Sequence, residues 1–319
     1  MTALVTGATG LVGHSIAAAL RRRGTDVRAL VRTPGKPLPE GCEEVQGDLR
    51  DAASLRDAAE GCELVFHAAG LPEQWLPDAG TFREVNVEGT RAMLAAARAA
   101  GAERFVFTST IDVFEADAAG VLEESRLDPN PKGTAYERSK QEADALVAAA
   151  QAGGLDAVFL HPAAVYGPGP AGSPGINELM RKLRDGEVPA IPPGGMPVVF
   201  SEDVGEGHVR AAERANAGDR FILCDRYVDN RALASAVLAA LGRERVPPSL
   251  PLWLHPRVRA SASEAVSRLT GKPPLVAKGQ LHFLQWQPRP DASRARAALD
   301  LDFTPLEEGI ARTLAFLEA

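Results

Sequence analysis

Thr6-Gly7-Ala8-Thr9-Gly10-Leu11-Val12-Gly13 is the stretch on which the reading of this chain turns. It follows the apolar run Ala3-Leu4-Val5 and opens a segment of helical periodicity that Gly24 ends. The pattern predicts a strand over 3–6, a tight turn, and an amphipathic helix over 12–23. Gly7, Gly10 and Gly13 fit the spacing GxxGxxG. Glycine permits the turn and lets the backbone come close to a bulky anion. The free N–H groups at the helix start, helped by the helix dipole, then face that anion. A pyrophosphate is the ligand such a turn suits, with Gly7, Thr9, Gly10, Leu11, Val12 and Gly13 around it.

Outward from this turn the first half alternates short apolar runs with helical stretches. Strands are predicted over 27–32, 44–47, 64–68, 104–109 and 157–161, and helices over 55–60, 82–100 and 136–152. Strands separated by helices imply βαβ crossovers and a parallel sheet covered on both faces. The fold class is therefore α/β: a doubly wound Rossmann-type parallel sheet with a smaller C-terminal substrate-binding lobe. After Tyr166 the pattern loosens, with loop punctuation at Gly167-Pro168-Gly169-Pro170 and Ile191-Pro192-Pro193-Gly194-Gly195. Helices are predicted over 201–215, 230–241 and 306–319, and a strand over 220–223. This divides the chain into a dinucleotide-binding domain at 1–165, to which 198–226 returns, and a lobe made mainly of 166–319.

Composition sets the outer bounds. The 319 residues are 45% hydrophobic and 24% charged, an ordinary globular profile. A net charge of −7 gives no basic field for nucleic acid. No apolar run approaches the ~20 residues that span a bilayer. Cys42, Cys62 and Cys224 lie far apart with no CxxC, which fits a reducing compartment, and we expect a cytoplasmic protein. His67, His161 and His208 have no metal-ligand spacing, so no metal site is expected. Trp75, in a loop after the fourth strand, is as well suited to a pocket as to a core, whereas Trp253 and Trp286 suit packing.

Two further features carry chemistry. The second strand ends Val27-Arg28-Ala29-Leu30-Val31-Arg32, where a carboxylate would grip the ribose hydroxyls of NAD. Arg32 suits a 2′-phosphate instead, so NADP is favoured over NAD. Tyr136 and Lys140 are four apart at the start of a helix and share one face. A free phenol has a pKa near 10, and a nearby ammonium favours its ionised form. Tyr136 could then exchange a proton with a substrate hydroxyl or carbonyl, with Lys140 also reaching the nicotinamide ribose. The strand ending Thr108-Ser109-Thr110 lies just before them and brings hydroxyls to the carboxyl edge of the sheet, where open α/β folds bind ligands.

Together these residues resemble the extended short-chain dehydrogenase/reductase superfamily, over nearly the whole chain. Thr6–Gly13 is similar to its TGxxGxxG turn, Gly47-Asp48-Leu49 to its adenine-contacting segment, and His67-Ala68-Ala69-Gly70 to its fourth-strand signature. Asn86-Val87-Glu88-Gly89-Thr90 is similar to its NVxGT helix, and Tyr136–Lys140 to its catalytic pair. His161-Pro162-Ala163-Ala164-Val165-Tyr166-Gly167-Pro168-Gly169 is similar to RPxxVYGPG, and Asp203-Val204-Gly205-Glu206-Gly207-His208 to DVAxxH. The resemblance implies cofactor contacts from Asp48, Leu49, Ala68, Ala69, Thr108, Pro162 and Val165. It also implies a catalytic hydroxyl at Thr110, with Ser109 as competitor, and a water relay supported by Asn86. His161 stands where the family has arginine. The Val31-Arg32 ending looks like dihydroflavonol-reductase and 3β-hydroxysteroid-dehydrogenase relatives. Other stretches look like the hopanoid-associated epimerase-like group. Nucleotide-sugar epimerases usually carry an arginine before the DVA segment, and Gly195-Met196-Pro197-Val198-Val199-Phe200 has none. The expected activity is NADP-dependent interconversion of a secondary alcohol and a ketone on a small-molecule substrate. The alternatives are a nucleotide-sugar epimerase or dehydratase at the same site and a non-catalytic NADP-binding regulator. A homodimer is the expected assembly.

Overall fold

A computed structural model describes residues 1–72, 76–170, 175–249 and 287–318. Trp75, Trp253 and Trp286 lie outside the described residues. The first strand, β1 (Thr2–Thr6), leads into α1 (Leu11–Arg22), β2 (Asp26–Val31), β3 (Glu43–Gln46), α2 (Ala52–Ala59) and β4 (Leu64–His67). A short α3 (Gly80–Phe82) runs straight into a π-helical turn, Arg83–Glu88, and then α4 (Gly89–Ala99). Next come β5 (Arg104–Thr108), a 3-10 turn (Ile111–Val113), β6 (Val121–Leu122), α5 (Ala135–Ala152), β7 (Ala157–Pro162) and β8 (Ala164–Tyr166). The chain continues through α6 (Ile176–Asp185), β9 (Gly195–Phe200), α7 (Ser201–Arg214), β10 (Arg220–Leu223), β11 (Arg226–Asp229) and α8 (Asn230–Ala240). It closes with β12 (Arg289–Pro290), α9 (Ser293–Leu299) and α10 (Leu306–Glu318).

Seven strands form one parallel sheet in the order β10-β7-β5-β4-β1-β2-β3. Alternate side chains point to opposite faces of a strand, and both faces here are apolar. Val5, Phe66, Val106 and Leu160 join the core under α1 and α7. Leu4, Val65, Phe105, Phe107 and Phe159 join the core under α2, α4 and α5. Each of those phenylalanines, fully buried, stabilises the fold by about 1.5–3 kcal/mol relative to exposure. The α1–α7 contact is so close that a Cβ on Gly205 would lie 2.3 Å from the Ser15 carbonyl oxygen, which is why α7 carries glycine there.

The strand order reverses between β1 and β4, and the crevice at their carboxyl ends is where such sheets bind ligands. The chain leaves the large sheet after β7 and enters a three-stranded sheet, β11-β9-β8, in which β8 and β9 run parallel and β11 antiparallel. It returns through α7 and β10, then leaves again through β11. The lobe has its own core: Tyr166, Ile176, Met180, Leu183, Phe200, Leu233, Val237, Ile310 and Leu314. Helix α6 and strands β8, β9 and β11 are not foreseen in the sequence reading. Strand β9 begins at Gly195 and carries Pro197, and α6 is bounded by glycines at both ends.

Candidate active site

The three glycines of the first turn have three different reasons to be glycine. Gly7 has φ +76°, and a Cβ there would sit 2.8 Å from the Ala69 backbone nitrogen, so the turn presses against the end of β4. A Cβ on Gly13 would be 2.2 Å from the Gly7 carbonyl oxygen, so the helix cannot pack onto the turn otherwise. At Gly10, among the described residues, a Cβ would meet just the Gly7 carbonyl oxygen, at 3.4 Å. The packing of the described residues leaves that space free, and a glycine there keeps it free for a ligand. Gly10 is also the N-cap of α1 with no side-chain cap, so the N–H groups of the first turn stay available to an anion. The turn therefore fits a dinucleotide pyrophosphate. Leu11 and Val12 start α1, and Leu11 closely approaches Gly169 in the loop after β8.

Arg32 follows directly on β2 and is exposed. The Asp48 carboxylate is held by the Arg50 guanidinium at 2.9 and 3.1 Å. That pairing, with a smaller contribution from the charge on Arg32, lowers Asp48 to about 2. Two guanidinium groups thus flank the carboxyl ends of β2 and β3. Leu49 is buried against Gly89, and Ala68 and Ala69 follow β4 beside the glycine turn.

Helix α5 begins at a complete capping box: Thr134 accepts from the Glu137 N–H, and the Glu137 carboxylate accepts from the Thr134 N–H. This fixes the first turn, which carries Tyr136, and sets Lys140 one turn later. Tyr136 packs its ring edge-on against Phe82, centroids 6.3 Å apart. Lys140 Nζ donates to the Thr108 carbonyl at 2.8 Å and lies 4.9 Å from the Phe107 ring centroid. Removal from water lowers Lys140 to about 8, opposed by Asp144 and Asp112.

The end of β5 is tied down residue by residue. The Thr108 hydroxyl turns away from the cleft and donates to His208 Nε2 at 2.8 Å, so what Thr108 presents to Lys140 is its carbonyl. The Ser109 hydroxyl donates to buried Asp144 at 2.6 Å. Thr110 caps the 3-10 turn: its hydroxyl donates to Asp112 Oδ2 at 2.9 Å and accepts from the Asp112 N–H at 3.3 Å. Of the two competing hydroxyls, Ser109 is bonded to Asp144 of a buried ion-pair cluster and Thr110 to Asp112, and both carboxylates act on Lys140. The cluster joins Asp144 to Arg220 of β10 at 2.8 Å, and Arg220 donates to His161 Nε2 at 3.3 Å. His161 Nδ1 then donates to the Thr110 carbonyl at 3.2 Å. A guanidinium does reach this spot, from β10 rather than from position 161.

Asn86 sits in the π turn, a helix irregularity often found at functional sites. Its amide donates to Ser139 at 2.8 Å, and its carbonyl oxygen accepts from the Leu71 N–H at 2.8 Å. It ties the loop after β4 to α5. Its backbone carbonyl accepts from Thr90, which leaves the Thr90 oxygen to accept from His67 Nε2. His67 Nδ1 consequently accepts from Thr6, whose oxygen accepts from the Ala69 N–H. One chain of hydrogen bonds thus runs from the glycine-turn strand to the π turn. The sequence marks His67 only as a strand-end residue; its hydrogen-bond partners, Thr6 and Thr90, come from β1 and α4. Pro162 ends β7 and Val165 lies in β8, at the crossing between the two sheets. Among the described residues there is no cluster of metal-ligating side chains, and no helix is long and apolar enough to cross a membrane.

The profile of the NAD dependent epimerase/dehydratase family matches residues 3–224. The chain belongs to that family. Its matched span holds the glycine turn, the β5 hydroxyls and the Tyr136–Lys140 helix. A Synechocystis protein that carries the name dihydroflavonol 4-reductase is 32% identical over 96% of this chain and 92% of its own length. A Stigmatella aurantiaca ketoreductase of a 4-hydroxy-2-methyl-3-oxo-4-farnesyl-3,4-dihydroquinoline-1-oxide is 31% identical over 85% of this chain and 87% of its own. Among solved structures, the crystal structure of gox2253 superposes with a TM-score of 0.85 at 28% identity, covering 99% of this chain and 98% of the other. Fold and relatives together make this chain an NAD(P)-dependent oxidoreductase of the extended short-chain dehydrogenase/reductase type.

Proposed function

We propose that this family member is an NADP-dependent reductase of small-molecule ketones, running as the alcohol dehydrogenase in reverse. What supports the reading is Lys140, one helical turn after Tyr136, anchored on the Thr108 carbonyl at the carboxyl end of β5 at 2.8 Å, two residues before Thr110. The nicotinamide, when bound, supplies or accepts the hydride. Tyr136 exchanges the proton with the substrate oxygen. Lys140, with one of its three donors on Thr108, has two more that would serve the phenol and the ribose of a bound cofactor. Thr110 holds the substrate oxygen, and Asn86 keeps the π turn and α5 in register around it.

NADP is favoured by Arg32 and Arg50 at the ends of β2 and β3, with no carboxylate free at the end of β2 and Asp48 already paired. A ketone substrate is favoured over a nucleotide sugar by β9, whose Gly195–Phe200 offers no cation to a diphosphate. The names of the two relatives point the same way. The test is steady-state reduction of a panel of apolar ketones with NADPH and NADH. The expected result is turnover with a higher kcat/KM for NADPH, and selective loss of that preference in Arg32→Ala. Cofactor binding without turnover of any ketone overturns the reading and favours a regulator. NAD that copurifies and survives dialysis favours the epimerase.

A further inference from the structure

One buried carboxyl has no place in that mechanism. Asp112 is 7% exposed, two residues beyond Thr110, and its carboxylate accepts a hydrogen bond from the Thr110 hydroxyl at 2.9 Å. The Thr110 oxygen also accepts from the Asp112 backbone N–H. In this arrangement Thr110 has only a lone pair to offer a substrate, yet a developing alkoxide needs a donor. We propose that Asp112 is a positioning residue that sets the direction of the Thr110 hydroxyl. Ionised, it accepts the hydrogen bond of the Thr110 hydroxyl; protonated, it donates to Thr110 and frees that hydroxyl to donate to the substrate carbonyl. The proton that ends on the substrate oxygen still comes from Tyr136, and Asp112 keeps its own through the cycle.

The surroundings allow the protonated form. Burial and the facing carboxylate of Glu137 raise Asp112 to about 6, against the Thr110 hydrogen bond and the charges of Lys132 and Lys140. Lys132 is drawn off by Asp128 at 2.6 Å and by the Phe114 carbonyl at 2.9 Å. Lys140 is anchored on Thr108. His161, on the far side of Thr110, donates to the Thr110 carbonyl as a neutral ring. No cation therefore hydrogen-bonds Asp112 among the described contacts.

The inference rests on the ketone-reductase reading, so its test has one arm that needs no turnover. In pH-difference infrared spectra of the unliganded protein, a protonated-carboxyl band should titrate in the wild type and vanish in Asp112→Asn. Thr110→Val, which removes the donor that favours the ionised form, should move that titration to higher pH. In the second arm, kcat for ketone reduction should fall roughly tenfold or more between pH 5.5 and 8, following the protonated fraction. In Asp112→Asn, whose amide can donate to Thr110 at every pH, the ratio of the two rates should fall toward that set by Tyr136 alone. A pH limb that persists unchanged in Asp112→Asn, or a band that Thr110→Val does not move, overturns the inference. A band that does move, with no ketone reduced by any variant, rejects the reductase reading and upholds the coupling of Thr110 to Asp112.

Discussion

Lowering the pH from 7 to 5 should remove about 4 kcal/mol of folding stability, because three buried histidines are locked in their neutral form. His67, His161 and His208 each use one ring nitrogen as donor and the other as acceptor within the fold. A second ring proton would have no acceptor, and burial holds them at about 3, about 3 and about 4. In the unfolded chain each titrates near 6.5. Between those values the unfolded state binds more protons, so stability is fully present above pH 6.5 and falls as the pH drops. At pH 5 the three rings contribute nearly three extra protons to the unfolded state. Asp112, raised to about 6, has the opposite sign, since the folded state then holds a proton that the unfolded carboxylate releases. The net is about two protons, or a slope of about 3 kcal/mol per pH unit. Against a typical total of about 5–15 kcal/mol this is a large share. The assay is urea denaturation at closely spaced pH values with the unfolding slope held in view. His208→Gln keeps an acceptor for Thr108 and removes one titrating ring, so it should flatten the slope by about 1 kcal/mol per pH unit. A loss below about 1 kcal/mol between pH 7 and 5 in the wild type would refute the neutral, doubly bonded state of these rings.

Five mutations test the site more directly. Gly10→Val should fold normally by circular dichroism yet fail to enhance NADPH fluorescence, because the valine occupies the ligand's space; Gly13→Ala should unfold at lower denaturant, since its Cβ would press on the Gly7 carbonyl at 2.2 Å. Tyr136→Phe should lower kcat by about 10²-fold or more with NADPH affinity nearly unchanged, measured by steady-state kinetics and fluorescence titration; near-normal turnover would dismiss Tyr136 as the proton carrier. Ser109→Ala should cost about 1–3 kcal/mol of stability, by leaving the buried Asp144 short of a donor, while Thr110→Val should chiefly lower kcat. Equal kinetic damage from the two would contradict the separation of these hydroxyls.

Much of this was legible in the linear chain because the physics behind it is local. A strand, a GxxGxxG turn and a helix follow from consecutive residues, and so does the shared helical face of Tyr136 and Lys140. The alternation of apolar runs with helical stretches announces a parallel sheet, because only a crossover can return a strand in parallel. The family assignment drew on the same motifs. What the chain order could not reveal is where hydroxyls, rings and carboxylates turn once strands from distant segments lie side by side. Thr108, Ser109 and Thr110 look interchangeable in sequence. The pleat and the strand end send their side chains to His208 of α7, to Asp144 of α5 and to Asp112, residues up to 100 positions away. Arg220 meets Asp144 and His161 only because β10 pairs with β7. Local spacing determined which groups this protein has at its sheet edge; the pairing of remote strands, which fixes burial and hydrogen-bond partners, decided which of them are left to act.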